Sequence, residues 1–105
     1  MTKYSEASEK ALERYLVERS KAIGVLALKY SSATTVGYPD RLLVVPGGTV
    51  VWVEVKSAGQ HPRKIQALRH EELKRLGHVV YVVDSREGID SIITSLENFL
   101  EDCDK

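Results

Sequence analysis

The sequence predicts one α/β domain over residues 1–105, in which helices flank a mixed four-stranded sheet in the order α-β-β-β-α-β-α. Three patterns support this fold class. The turn signal Pro46-Gly47-Gly48 joins two apolar segments, as in a β-hairpin. The apolar run 79–83 follows a helical segment, which is typical of a buried parallel strand. The first and last segments repeat apolar residues at helical spacing.

The first half of the chain is predicted to contain one helix and three strands. Ser5 or Ser8 can cap a helix that runs to about residue 23, with Leu12 and Leu16 on its apolar face. Gly24 ends this helix. Three segments rich in aliphatic and β-branched side chains are predicted to be strands, namely 25–30, 41–45 and 49–56.

The second half is predicted to alternate helix, strand and helix. Pro62 opens a helix that Gly77 closes, since proline suits the first helical turn and glycine the position after the last. The strand 79–83 follows. The last helix carries a continuous apolar stripe made of Ile89, Ile92, Ile93, Leu96, Phe99 and Leu100.

Composition excludes several classes of protein. A content of 43% hydrophobic and 29% charged residues is ordinary for a globular protein and excludes a disordered tail. The lone Cys103 cannot form an internal disulfide, which favours a reducing, cytoplasmic setting. No apolar run approaches the roughly 20 residues that span a bilayer, so no membrane association is expected.

The formal net charge of zero conceals an uneven distribution. Residues 56–78 carry six basic and two acidic side chains, a net of +4. Residues 84–105 carry seven acidic and two basic side chains, a net of −5. Such asymmetry indicates a surface that binds a polyanion. Two solvated helix faces of opposite sign are the alternative.

Charged residues inside apolar segments are the candidates for chemistry. Glu54 and Lys56 share one face of their strand because side chains alternate along it. The hairpin turn brings Asp40 beside Glu54, and two neighbouring carboxylates repel unless a cation lies between them. Oxygen ligands of this kind suit Mg²⁺ or Mn²⁺. Alternatively, Glu54 forms an ion pair with Lys56 and Asp40 is an ordinary turn residue.

The first helix offers a third acid. Glu9 lies about 60° from the centre of the apolar face, and Glu13 about 100°. Glu9 is therefore the better candidate, with Glu13 as the alternative. Gln66, at the edge of the apolar stripe of the second helix, can orient a water molecule or a phosphate. The candidates for contact with phosphates are Lys29, His61, Arg63, Lys64, Arg69 and Lys74.

Together these motifs resemble the PD-(D/E)xK nuclease superfamily and, within it, the virus-type replication-repair nuclease (VRR-NUC) domain. The resemblance is carried by Glu9, Gly37-Tyr38-Pro39-Asp40, Glu54-Val55-Lys56 and Gln66. It implies a restriction-endonuclease-like core that cuts DNA with Mg²⁺ or Mn²⁺.

The resemblance also implies a role for each matching residue. Glu9, Asp40 and Glu54 would bind the metal, and the main-chain carbonyl of Val55 would be a further ligand. Lys56 would position the attacking water or stabilise the developing charge. Gln66 would match the glutamine of the family's helix.

Small family members resemble homodimeric Holliday-junction resolvases of phages and bacteria. The resemblance therefore implies a structure-specific DNA endonuclease that cuts four-way junctions as a homodimer. A globule with a radius of gyration of roughly 13 Å carries one active site, and symmetric resolution needs two. The alternatives are a flap or nicking endonuclease of broader specificity and a non-catalytic DNA-binding module.

Overall fold

The structure, a computed structural model, describes residues 8–103 and has the predicted order of elements. Its three helices are α1 (Glu9–Ala22), α2 (Lys64–Arg75) and α3 (Arg86–Cys103). Its four strands are β1 (Leu26–Lys29), β2 (Arg41–Val45), β3 (Thr49–Val55) and β4 (Val79–Val83). The predicted α/β fold class is confirmed. Strands β2 and β4 have the predicted bounds, and the predicted bounds of β1, β3 and α2 differ from the observed ones by at most two residues.

The start of α1 is set by a side-chain cap. The Oγ atom of Ser8 accepts a hydrogen bond from the backbone N–H of Ala11 at 3.1 Å. This bond satisfies one of the N–H groups that a helix leaves unpaired in its first turn. Ser5, the other predicted cap, lies outside the described residues.

The four strands form one mixed sheet in the spatial order β1-β2-β3-β4. The pairs β1–β2 and β2–β3 are antiparallel, whereas β3 and β4 are parallel. Gly47 and Gly48 make the turn between β2 and β3 with φ angles of +93° and +89°. Arg41 is paired with Val53, so the next residues outward, Asp40 and Glu54, meet at the same end of the hairpin.

The hydrophobic core lies between the sheet and the helices α1 and α3. Side chains with no exposed surface come from both layers, namely Leu12, Leu16, Leu43, Val53, Ile89 and Ile93. Because neighbouring strand residues face opposite sides, Trp52 and Glu54 point to the other face, where α2 contacts Glu54. A bilayer-spanning segment needs about 20 apolar residues, and no helix within residues 8–103 meets that requirement.

Gly37 allows the segment before Asp40 to approach α2 closely. Its φ angle is +101°, and a Cβ atom at this position would lie 3.0 Å from the backbone oxygen of Ile65. Arg69 holds the same segment from α2, since its Nε donates a hydrogen bond to the carbonyl oxygen of Val36 at 3.0 Å. The loop that leads to Asp40 is therefore anchored to the helix on the Glu54 side of the sheet.

We expect Gly37→Ala to destabilise the protein more than Gly77→Ala. Gly77 has a similar φ angle, +91°, but nothing within 4 Å of the added Cβ. Gly77→Ala therefore loses only the roughly 1–2 kcal/mol of a left-handed backbone, while Gly37→Ala adds the collision with Ile65. Urea unfolding of both variants measures the difference, and equal losses would contradict the close approach.

Candidate active site

Three carboxylates, two from α1 and one from the residue before β2, meet at the end of the β2–β3 hairpin. Glu9, Glu13 and Asp40 each offer one oxygen, and these oxygens lie within 4.8 Å of one another. Glu9 and Glu13 are four residues apart on α1 and therefore project from the same side of the helix. Asp40 immediately precedes β2. An all-oxygen group of this kind suits a hard divalent cation.

The two glutamates of this acidic group have different surroundings. Glu13 is mostly buried and accepts a hydrogen bond from Nε of Arg41 at 2.8 Å. Its Oε1 also lies 3.9 Å from Nζ of Lys29. Within residues 8–103, Glu9 has no ion-pair partner. Of these two acids, Glu9 keeps its charge available for a cation, while Glu13 is largely neutralised by Arg41 and Lys29.

Glu54 lies beneath α2 and is 1% exposed. Its Oε2 is 3.7 Å from Nζ of Lys56 and accepts a hydrogen bond from Nε2 of Gln66 at 3.4 Å. Its Oε1 is 3.4 Å from Nε2 of His70. Gln66 also accepts a hydrogen bond from the backbone N–H of Arg63 at 2.8 Å, which fixes the amide at the start of α2.

Burial raises the pKa of Glu54 from 4.5 to about 7. Removal from water is the largest cause, and the charges of Asp40 and Glu9 raise the pKa further. The ammonium group of Lys56 opposes this rise. A divalent cation among these carboxylates would favour ionised Glu54, so the donor set fits the metal that the resemblance implies.

The geometry distributes the predicted metal ligands over two neighbouring groups. Asp40 and Glu9 belong to the compact acidic group, which includes Glu13, whereas Glu54 is not part of that group. Val55 is buried at the end of β3, between Glu54 and Lys56. The roles of Glu54 and of the Val55 carbonyl as ligands stay predictions.

His70 is a buried site residue that the sequence pattern did not single out. It lies on α2 four residues after Gln66, so both side chains reach Glu54. Burial lowers the pKa of His70, and the positive charges of Lys74 and Lys56 lower it further. The four-residue spacing of Gln66 and His70 indicates that both lie on one side of α2. It does not indicate that this side faces Glu54, which depends on the packing of α2 over β3.

Basic side chains surround the acidic group. A pocket of about 550 Å³ is lined by Glu9, Lys10, Glu13, Arg14, Lys29 and Arg41. Of its four basic residues, only Lys29 was predicted to contact phosphates. The sequence did not indicate Lys10 and Arg14 as phosphate contacts, because alternating charges on a helix are ordinarily typical of a solvated face. Here that face borders the carboxylates, where a phosphodiester would meet both signs of charge.

The other predicted phosphate contacts lie along α2. His61, Arg63 and Lys64 are exposed at its start, and Lys74 is exposed near its end. Arg69 is mostly covered, because it bonds to the carbonyl of Val36 and its guanidinium lies 5.5 Å from the centre of the Tyr38 ring. A contact of Arg69 with DNA stays a prediction, since the structure engages this side chain in anchoring the loop before Asp40.

Comparison with known proteins identifies the family. No family model matches the chain. A protein described as "Putative nuclease p44", from Acyrthosiphon pisum secondary endosymbiont phage 1, is 38% identical over 88 residues. The match covers 84% of this chain and 94% of that protein.

A solved structure described as "VRR_NUC domain" superimposes with a TM-score of 0.78 at 33% sequence identity. The match covers 84% of this chain and 97% of that one. The chain belongs to the VRR-NUC family. The predicted family is confirmed, and with it a nuclease-type domain.

The two glutamates of the acidic group should respond differently to neutralisation. In EDTA, Glu13→Gln should lower the free energy of unfolding by about 1–3 kcal/mol, because it leaves the partly buried guanidinium of Arg41 without its charged acceptor. Glu9→Gln should change it by less than about 0.5 kcal/mol, because lost attraction to the helix dipole is offset by relieved repulsion. Chemical denaturation of both variants tests this, and equal losses would contradict it.

The raised pKa of Glu54 predicts a pH-dependent stability in EDTA. Its folded pKa of about 7 exceeds the ordinary 4.5, so the folded state keeps a proton that the unfolded state releases. The contribution is present in full below pH 4.5 and is lost as the pH rises through about 7, for a total of about 3 kcal/mol.

The matched control is Glu54→Gln, which cannot ionise. The difference in unfolding free energy between the two proteins isolates Glu54 from His70, whose lowered pKa acts in the opposite direction. Wild type should lose stability relative to Glu54→Gln between pH 4.5 and 8. Parallel profiles would show that the carboxyl titrates normally.

Proposed function

We propose that this protein is a metal-dependent DNA endonuclease that hydrolyses phosphodiester bonds at branched DNA and resolves four-way junctions as a homodimer. The observation that carries the proposal is the meeting of Asp40 with the α1 acids at the end of the hairpin, next to buried Glu54 and Lys56. Membership of the VRR-NUC family supports hydrolysis by this site.

The residues that would hold Mg²⁺ or Mn²⁺ are Glu9, Asp40 and Glu54, with the main-chain carbonyl of Val55 beside them. When bound, such an ion supplies positive charge at the phosphate and activates water. Oxygen donors and excess negative charge at the hairpin end are what these ions require. Glu13 adds a further oxygen, although Arg41 already neutralises much of its charge.

The side chains around Glu54 would orient its carboxylate and stabilise the charge of the reacting phosphate. Lys56 lies 3.7 Å from Glu54 at the end of β3 and provides a fixed positive charge near the reacting phosphate. Gln66 and His70 hold the two carboxylate oxygens from α2, so the acid keeps one orientation. Rigid placement of this kind reduces the reorganisation that the transition state would otherwise require.

Positive charge around the acids supports DNA as the substrate. Lys10, Arg14 and Lys29 share a pocket with Glu9 and Glu13. His61, Arg63 and Lys64 add exposed basic groups at the start of α2. Lys and Arg side chains near a cleavage site position the sugar–phosphate backbone without reading sequence. This distribution suits an enzyme that recognises the shape of DNA.

An uncovered part of the sheet supports the dimer. Leu26 and Leu28 of β1 are 57% and 42% exposed. They pair with Val44 and Leu42 of β2, so this apolar area extends over two strands and carries no formal charge. A second copy could cover it without like-charge repulsion, and a twofold pair would supply the two active sites that symmetric resolution needs.

The proposal is tested with synthetic four-way junctions, flaps, nicked duplexes and linear duplexes, in Mg²⁺, in Mn²⁺ and in EDTA. Paired symmetric nicks on the junction are expected with either ion, and no cleavage in EDTA. Asp40→Asn should lower the cleavage rate by at least about 100-fold while DNA binding persists. Glu97→Gln, an exposed acid on α3, is the matched control and should cleave normally.

Each of the other outcomes would support one of the alternative functions. Preferred cutting of flaps or nicked DNA would replace junction resolution by the broader endonuclease. Binding without cutting under all conditions would favour the non-catalytic module. Sedimentation of the same samples reports the oligomeric state, and a monomer on the junction would remove the dimer from the proposal.

A further inference from the structure

A second pocket lies next to the acidic site. Its volume is about 260 Å³, and both Lys29 and Asp40 line it. Lys29 also lines the pocket that contains Glu9 and Glu13. The two pockets therefore adjoin at the residues that the proposed function places beside the scissile phosphate. A group in the second pocket would belong to a nucleotide close to the cut.

The lining of this pocket combines aromatic and hydroxyl groups. Tyr30 and Tyr38 supply the aromatic surface, while Ser31, Ser32 and Thr35 supply hydroxyl groups that can donate or accept hydrogen bonds. The charged residues of the lining are Lys29 and Asp40. Lys29 also lines the pocket of Glu9 and Glu13, and Asp40 belongs to the acidic group itself. A phosphate would favour several cations, whereas a base favours a ring to stack on and polar groups around its edge.

The aromatic wall is held in place by its neighbours. The ring of Tyr30 meets Trp52 edge-to-face with centroids 5.2 Å apart, and meets Tyr38 at 6.3 Å. The hydroxyl of Tyr38 donates a hydrogen bond to Glu72 at 2.6 Å. Arg69 covers Tyr38 and holds the loop through the carbonyl of Val36.

The hydroxyl side of the pocket is ordered as well. The backbone N–H of Thr35 donates to Oγ of Ser32 at 3.1 Å, which closes a local turn. Gly37 permits the same loop to pack against Ile65 of α2. Because its walls are already in place, binding would require little reorganisation of the protein.

The size of the pocket restricts the ligand. A volume of about 260 Å³ is many times the roughly 30 Å³ share of one water molecule. It also lies just below the range of roughly 300–1,000 Å³ that is usual for drug-sized molecules. One nucleobase, with part of its sugar, matches both the size and the mixed aromatic and polar lining.

We propose that this pocket receives one unpaired nucleobase of the DNA substrate, adjacent to the phosphate that the acidic site cleaves. This inference rests on the proposed nuclease function and extends it to the feature that the enzyme selects. Withdrawing a base from an intact duplex costs a few kcal/mol, and less where the DNA is already unpaired. The pocket would therefore favour branched DNA over linear duplex.

The test combines removal of single bases from the DNA with removal of the aromatic wall. Nucleotides around the cut are replaced one at a time by abasic sites. The Kd is measured in a Lys56→Met background, which keeps the acidic side chains and does not alter the pocket lining. At one position, base removal should weaken binding roughly 5- to 150-fold, the effect of losing one stacked base.

In Lys56→Met/Tyr30→Ala, the same base removal should have no effect, because the pocket no longer binds the base. Such non-additivity reports a direct coupling between base and side chain. Phe99→Ala, a partly exposed aromatic residue on α3, is the matched control and should retain the full effect. Tyr30→Phe should retain it too, since the ring remains.

A second variant tests the pocket independently, in case Tyr30→Ala does not fold. Ser31→Trp should fill the pocket and leave Tyr30 in place, so that binding of intact DNA falls to the abasic level. If base removal has an equal effect with and without Tyr30, or no effect at any position, the pocket does not bind a base. Neither result would contradict the proposed nuclease function. Absence of DNA binding by the Lys56→Met protein would overturn the proposed function and the pocket together.

Discussion

The buried carboxyl group of Glu54 is the constraint around which the site is organised. A carboxylate removed from water is destabilised by several kcal/mol unless hydrogen bonds or opposite charge compensate. Lys56, Gln66 and His70 supply that compensation from β3 and α2, yet the pKa still rises to about 7. A divalent cation would supply the positive charge that ionised Glu54 still lacks. The burial of Glu54 therefore underlies both the pH dependence of stability and the proposed binding of metal.

The rest of the fold places acids at the same end of the sheet. The register of β2 and β3 brings Asp40 opposite Glu54, and α1 packs so that its first turns meet Asp40. Leu12 and Leu16 fix that helix because they are fully buried against the sheet. Arg41 then pairs with Glu13 and prevents the acidic group from accumulating unrelieved charge. Packing of the core thus determines the geometry of the candidate site.

The two faces of the sheet have different roles. One face forms the core with α1 and α3, and its side chains are almost entirely apolar. The other carries Glu54, the aromatic group around Trp52 and the exposed leucines of β1. Because α2 alone among the helices of residues 8–103 packs on this second face, the face leaves room for both a pocket beside Asp40 and an apolar area. The proposed specificity and the proposed dimer therefore arise from the same incomplete covering of the sheet.

The order of elements, the hairpin and the approach of Asp40 to Glu54 could all be predicted from the amino-acid sequence. These depend on local periodicity, on the turn chemistry of Pro46-Gly47-Gly48 and on counting residues outward from it. Three contacts emerge only from the folded chain: Glu13 pairs with Arg41, His70 reaches Glu54, and Arg69 anchors the loop that lines the pocket beside Asp40. These contacts depend on how α1 and α2 are rotated and positioned on the sheet, and that placement is set by side-chain packing between segments far apart in the chain.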